Sequence, residues 1–228
     1  MPVLAEKNWD RYVAQAELVA RTDGFQALRD RILERAGIGS GEVVADIGAG
    51  TGLLTLPAAE VAERVWAIDI SPQMCGYLAT KALSAERHNI EPVVASAVSL
   101  PLVSGSVDVV ISNYCLHHLG HTEKLVALAE LHRILRPGGR LVLGDMMFKV
   151  ALTDDRDRAV VKAKVKVLLG RGPAGVWRLI RNAARLLTGR WERPASGEWW
   201  CEALAEAGFA EIELELAEHE GGIVEGRR

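Results

Sequence analysis

Cysteine is scarce in this chain: Cys75, Cys115 and Cys201 lie far apart, with no CxxC pair and no histidines at zinc-site spacing. A disulfide framework and a thiolate metal centre are thereby excluded, and reduced thiols in a cytoplasmic setting are expected. Apolar runs stay short of the roughly 18 residues needed to cross a bilayer. The start, MPVLAEKNWDRYVAQ, lacks the basic lead and apolar centre of a secretory signal. A large charge excess is also missing. The formal net charge over 228 residues is −3, which gives no reason to expect nucleic acid bound across the whole surface. There is no GxSxG nucleophile motif, no internal repeat and no low-complexity tract.

What is present is an ordinary globular composition, 49% hydrophobic and 25% charged, in a length that suits one domain with an elaboration. The mean charge hides an asymmetry. Residues 151–195 hold eleven Lys and Arg against Asp154, Asp155, Asp157 and Glu192, a local +7 against −10 for the rest.

Residues 3–36 read as helical without internal proline, ending at Gly37 and Gly39. A strand over 42–48 runs into glycines, with helix from about Leu53. A second strand (63–71) ends near Asp69, and Ser71-Pro72 then supplies an N-cap and a first-turn proline for a helix to about Glu86. Strands at 92–96, 107–112 and 139–145 follow, with helix 122–135 before the last. This alternation predicts a parallel sheet with helices on both faces. Two amphipathic helices, 154–169 and 174–188, interrupt the rhythm around Gly170-Arg171-Gly172-Pro173. Their apolar positions Val161, Val165, Leu168, Leu169, Trp177, Ile180, Ala184, Leu187 and Trp191 are interleaved with the basic residues. Helix 197–207, strand 209–218 and a short antiparallel return at 223–226 complete the chain. The expected organisation is one domain: an N-terminal helical cap (1–40), a core (41–150), a helical insertion (151–195) and a closing helix and hairpin (196–228).

The sharpest chemical signal is Asp46-Ile47-Gly48-Ala49-Gly50-Thr51-Gly52, directly after a strand and before a helix, where glycines permit a tight turn and close approach by a ligand. A dinucleotide site would want a third glycine at position 53, where Leu53 stands; that reading, an NAD-dependent oxidoreductase, is the weaker one.

This DxGxGxG pattern resembles the first motif of class I S-adenosylmethionine-dependent methyltransferases, and the resemblance extends over about residues 42–147. It implies a Rossmann-like seven-stranded, mostly parallel sheet with an antiparallel last strand. It also implies S-adenosylmethionine as cofactor, with Asp46, Gly48, Ala49, Gly50 and Gly52 beneath its methionine part. By the same resemblance Asp69 would bond both ribose hydroxyls, with Ile70 and Met74 flanking the adenine. The stretch Ala95-Ser96-Ala97-Val98-Ser99-Leu100-Pro101-Leu102 resembles the segment that packs around the adenine. There Ser96 replaces the usual acid, and Ala97 and Val98 follow it. Asn113 and Tyr12 complete the expected cofactor set.

Asn113-Tyr114-Cys115-Leu116-His117-His118-Leu119 resembles the LHH segment of the ubiquinone/menaquinone-biosynthesis-type methyltransferases. His117 or His118 would sit at a strand's carboxyl end with an ordinary titration close to neutrality, suited to taking a proton from an acceptor. Adjacent histidines are expected to point in different directions, one of them structural. Asp145, ending the fifth strand, reads equally as an acceptor-positioning acid or as a helix cap or solvated loop acid. The turn Leu135-Arg136-Pro137-Gly138-Gly139-Arg140 has an architectural role. Prolines do not follow Asn113, against the base-modifying NPPY pattern. The expected function is methyl transfer by in-line displacement to a small apolar or anionic acceptor; a non-catalytic cofactor-binding regulator is the alternative. No metal and no nucleic-acid partner is expected, and the basic 151–195 segment is a candidate peripheral membrane contact.

Overall fold

The computed structural model describes residues 8–148, 155–170, 172–174, 176–178, 193–217 and 220–228. Seven strands form one sheet: β1 (Val43–Ile47), β2 (Arg64–Asp69), β3 (Ile90–Val94), β4 (Val107–Asn113), β5 (Leu135–Met146), β6 (Ala210–Leu216) and β7 (Gly221–Arg227). Their spatial order is β3-β2-β1-β4-β5-β7-β6. β1 to β5 pair in parallel, and β7 runs antiparallel between β5 and β6. The chain order reverses at β1 and β4, so the crevice beyond their carboxyl ends is where an open α/β sheet takes a ligand.

Central strands read as near-continuous apolar runs because both faces are covered. Ala45, Val44, Ile47, Val109, Val110 and Ile111 are all fully buried. One core lies under α5 (His121–Ile134) and α7 (Gly197–Glu206), the other under α2 (Asp23–Ala36), α3 (Thr55–Ala58) and α4 (Pro72–Ser84). Ser71 caps α4 as its sequence implies, accepting from the Met74 N–H at 3.1 Å with Pro72 in the first turn.

Several boundaries differ from the sequence reading. The N-terminal helical stretch is broken: a 3-10 turn (Trp9–Tyr12) leads into α1 (Val13–Ala20), and α2 begins anew at Asp23 after Thr22 takes up an extended conformation. The turn and α1 bury no residue, so packing does not force one continuous rod. The helix expected from Leu53 is the single turn α3. β7 runs from 221 to 227, longer than expected, because it pairs along its whole length with β5 and over most of it with β6. The two rims of the sheet are β3, with Pro92 at its centre, and β6, which alternates Glu211, Glu213 and Glu215 and has a register shift between Ala210 and Glu213. α6 (Asp155–Leu169) is the first insertion helix. Arg156 anchors it by donating to the carbonyls of Met147, Ala217 and Gly221. Of the expected second insertion helix (174–188), residues 174 and 176–178 are helical, and the remainder, with Ile180, Ala184 and Leu187, lies outside the described residues, as does Trp191.

Candidate active site

The glycine loop is set by backbone geometry. Gly48, Gly50 and Gly52 all have positive φ, at 73°, 51° and 88°, a region open to glycine and strained for other residues. The N–H groups of Gly48 and Ala49 both donate to the Ile68 carbonyl, at 2.8 and 3.0 Å, which ties the loop to β2. A Cβ on Gly48 would lie 2.3 Å from Cys115 Sγ, so the loop packs directly on the segment after β4.

Asp46 sits beneath this loop and not on its surface. It is 1% exposed and accepts from the Thr55 hydroxyl at 2.6 Å. Burial, with a further push from the nearby Asp69 carboxylate, raises its pKa to about 7. Asp69, at the end of β2, accepts from the Gly50 N–H and the Ser71 N–H, one on each oxygen and both at 2.9 Å. Burial raises its pKa as well, against those donors. Ile70 beside it is 43% exposed, whereas Met74 is buried in the first turn of α4. Ser96 bridges to Ser99, and its hydroxyl accepts from the Val98 N–H at 3.4 Å; Ala97 and Val98 pack against the larger core.

At the ends of β4 and β5 the structure joins residues that are far apart in sequence. His117 and His118 lie in a 3-10 turn (Leu116–His118). Asp145, fully buried, meets His117 Nδ1 at 2.6 Å and also accepts from the backbone N–H groups of His117 (3.0 Å) and Met146 (2.7 Å). Asp145 is therefore neither a helix cap nor a solvated loop acid. The two histidine rings do not diverge as expected: their centroids are 3.8 Å apart with their planes at 51°. Tyr114, in the left-handed region at φ 50°, places its ring 5.8 Å from His117 and 4.8 Å from Phe25 of α2. Trp9 covers His118 at 4.4 Å, with Tyr12 5.9 Å beyond it. Asn113 Oδ1 is buried and has no hydrogen-bond partner.

The spacing alone did not reveal how the N-terminal segment is held over this crevice. Asp10 accepts from the Ser71 hydroxyl at 2.6 Å and the Gln73 N–H at 3.2 Å. Glu17 pairs with Lys81 at 3.0 Å, and Lys81 also donates to the Thr51 carbonyl in the glycine loop. Although burial works against it, contact with Lys81 holds the Glu17 carboxyl below its ordinary pKa. Lys124, fully buried on α5, was likewise missed; the signal was its place on the apolar face with Ala127, Leu128, Leu131 and Ile134. Among the described residues no His, Cys, Asp and Glu group could hold a metal ion, and no helix is long and apolar enough to cross a membrane.

Comparison with known proteins matches residues 45–143 to the methyltransferase domain family. An uncharacterized methyltransferase of Geobacillus kaustophilus is 30% identical over 145 residues, 63% of this chain and 61% of that protein. The chain thus spans less than two thirds of that relative's length. An arsenite methyltransferase of Halobacterium salinarum is 33% identical over 123 residues, 53% of this chain and 31% of its own. Among solved structures, a SAM dependent methyltransferase from Aquifex aeolicus superposes with a TM-score of 0.66 at 18% identity, covering 94% of this chain and 97% of the other. Residues 45–143 thus match the methyltransferase domain family, and the chain shares the fold of the Aquifex aeolicus methyltransferase.

Proposed function

We propose that the chain transfers a methyl group to a small acceptor whose attacking atom carries an ionisable proton, and that His117 takes up that proton. The reading rests on the His117–Asp145 dyad. Asp145 accepts at Nδ1, which fixes the proton there and leaves the Nε2 lone pair as the basic site. Two charge-assisted backbone bonds hold the carboxylate in turn. The dyad adjoins the cofactor loop through the contact of Cys115 with Gly48.

S-adenosylmethionine, the cofactor of this domain, supplies a sulfonium-bound methyl that is already electrophilic. The residues present fit it. Apart from the Gly48 carbonyl at 3.9 Å, a Cβ on Gly50 would meet nothing within 4 Å, so the loop keeps an open face. Each Asp69 oxygen takes one backbone donor and keeps a lone pair, suited to the two adjacent hydroxyls of a ribose. Asn113 Oδ1, buried without a donor, would accept from the amino group of the methionine part. Ile70 and Met74 would flank the adenine, with Ser96, Ala97 and Val98 on its other side. Tyr12 and Ala49 adjoin the same crevice. Asp46 would act from below, by holding Thr55 and the loop.

The rings of Phe25, Tyr114, His118, Trp9 and Tyr12 give the acceptor an apolar wall. The N-terminal segment from Trp9 to Glu17, held on Ser71 and Lys81, would exclude water above it. Orientation of this kind lowers a barrier by about 7 to 11 kcal/mol, and a positioned base adds about 10² to 10⁴ in rate.

The test is calorimetry with S-adenosylhomocysteine, followed by methyl-labelled cofactor offered with fractionated metabolite pools to wild type and His117→Gln. Expected are binding by both proteins and turnover by wild type that falls at least 100-fold in the variant. Equal turnover by the two removes His117 from the reaction. Binding without turnover over every pool favours the non-catalytic reading.

A further inference from the structure

Lys124 is a buried ammonium that the proposed reaction leaves unused. Its side chain is fully shielded from solvent on the apolar face of α5, where an uncompensated charge costs several kcal/mol. Nζ donates to two carbonyls, Leu119 at 2.6 Å and Arg193 at 2.7 Å. Both lead to the dyad. Leu119 closes the 3-10 turn carrying His117, its N–H bonded to Leu116 at 3.0 Å; Arg193 donates its own N–H to the His117 carbonyl at 2.7 Å. One ammonium therefore ties the histidine turn to the segment by which the chain returns from the insertion.

The charge has a second use. Asp145 is wholly buried, and its three donors, His117 Nδ1 and two backbone N–H groups, are neutral whenever His117 is neutral. The Lys124 ammonium lies in the field of that carboxylate, which works against the lowering that burial imposes on Lys124.

We infer that Lys124 is a positioning residue for His117: it clamps the histidine turn through Leu119 and Arg193, and it sets a buried positive charge beside the His117–Asp145 pair. The inference rests on the reading of His117 as proton acceptor but on no particular methyl acceptor. Burial brings Lys124 down to about 8, so it is charged at neutral pH and loses its charge above about pH 8. The other ionisable groups facing this cluster are Glu123 and His121 on α5, Arg193, His118 in the turn, and Cys115 and Tyr114 after β4. All are retained in the variants below.

The experiment reads the His117 ring by ¹⁵N and ¹H magnetic resonance in the full chain with S-adenosylhomocysteine bound. In Lys124→Met, His117 is expected to take its second proton at a pH about one unit higher than in wild type, a tenfold change in proton affinity, with a displaced Nδ1 proton signal. Lys124→Arg, which keeps the charge, should return both towards wild type, and Val126→Ala on the exposed side of α5 should move neither. An unchanged His117 titration in Lys124→Met overturns the inference. If that variant does not fold, Lys124→Gln, which keeps donors without charge, is expected to give the same displacement. In wild type alone the Nδ1 proton signal should move between pH 7 and 9 as Lys124 loses its charge, and constancy there also overturns the inference. These readouts need no turnover, so they stand even if no acceptor is methylated.

Discussion

The two halves of the crevice are built by different means. Beyond β1 and β2 the geometry comes from backbone: three glycines within five residues, all at positive φ, with two of the loop's N–H groups bonded to one carbonyl of the neighbouring strand. Beyond β4 and β5 it comes from side chains of distant origin, with His117 on a turn, Asp145 28 residues later on a strand, and Lys124 on the helix between them. The first half can be changed only by altering conformation. The second can be dissected atom by atom, because each member is held by hydrogen bonds that a neutral isostere removes.

The harshest test of that contrast is Gly48→Ala. The added methyl meets Cys115 Sγ at 2.3 Å and Cβ at 2.5 Å, on a residue at φ 73°. Strain of about 1 to 3 kcal/mol and overpacking of similar size should abolish calorimetric cofactor binding and lower the unfolding midpoint. Binding within threefold of wild type would show that the loop is not conformationally fixed. On the other side, His117→Gln should leave cofactor affinity unchanged while slowing transfer by 10² or more, about 3 kcal/mol in the barrier. A matching loss of affinity would erase the division between the halves.

A smaller effect concerns Asp46, which straddles the comparison by holding the loop from below. Its pKa is about 7 when folded, against 3.8 unperturbed. The folded state therefore holds a proton that the unfolded chain has released between about pH 4 and 7, and this group makes stability fall as pH rises through that window. In Asp46→Asn that component is absent. Urea midpoints at pH 5 and 7 should differ less in the variant than in wild type, and an equal difference would refute the assignment. Smallest is the clip on the cap. Glu17→Gln breaks a part-buried pair at the molecule's surface worth about 1 kcal/mol, and should speed cofactor release severalfold in stopped-flow fluorescence with little change in global stability.

Legibility followed the same divide. The strand-glycine-helix signal at 42–53, the acid at 69 and the Ser71-Pro72 cap are local in sequence, and each maps onto the element expected of it. The sheet with its antiparallel final pair was readable from alternation and turn length. The dyad was half legible: the histidines stood out as a motif, but pairing with Asp145 depends on the register of β4 against β5, which places Asn113 opposite Gly144. Lys124 was hidden because a lysine near a helix start is ordinarily solvated; only its alignment with Ala127, Leu128 and Leu131 betrays it. Asp10 and Glu17 were illegible, since their partners Ser71 and Lys81 lie more than 60 residues away.

A last consequence follows from the two rims of the sheet. Any extended chain laid alongside β3 would find Pro92, which has no amide hydrogen to give. Along β6 it would face carboxylates at alternate positions and a strand bent by its irregular pairing near Glu211, where φ is 49°. Both borders discourage accretion of further strands, so a sheet exposed at each end keeps its width at seven while its carboxyl edge remains open to small ligands.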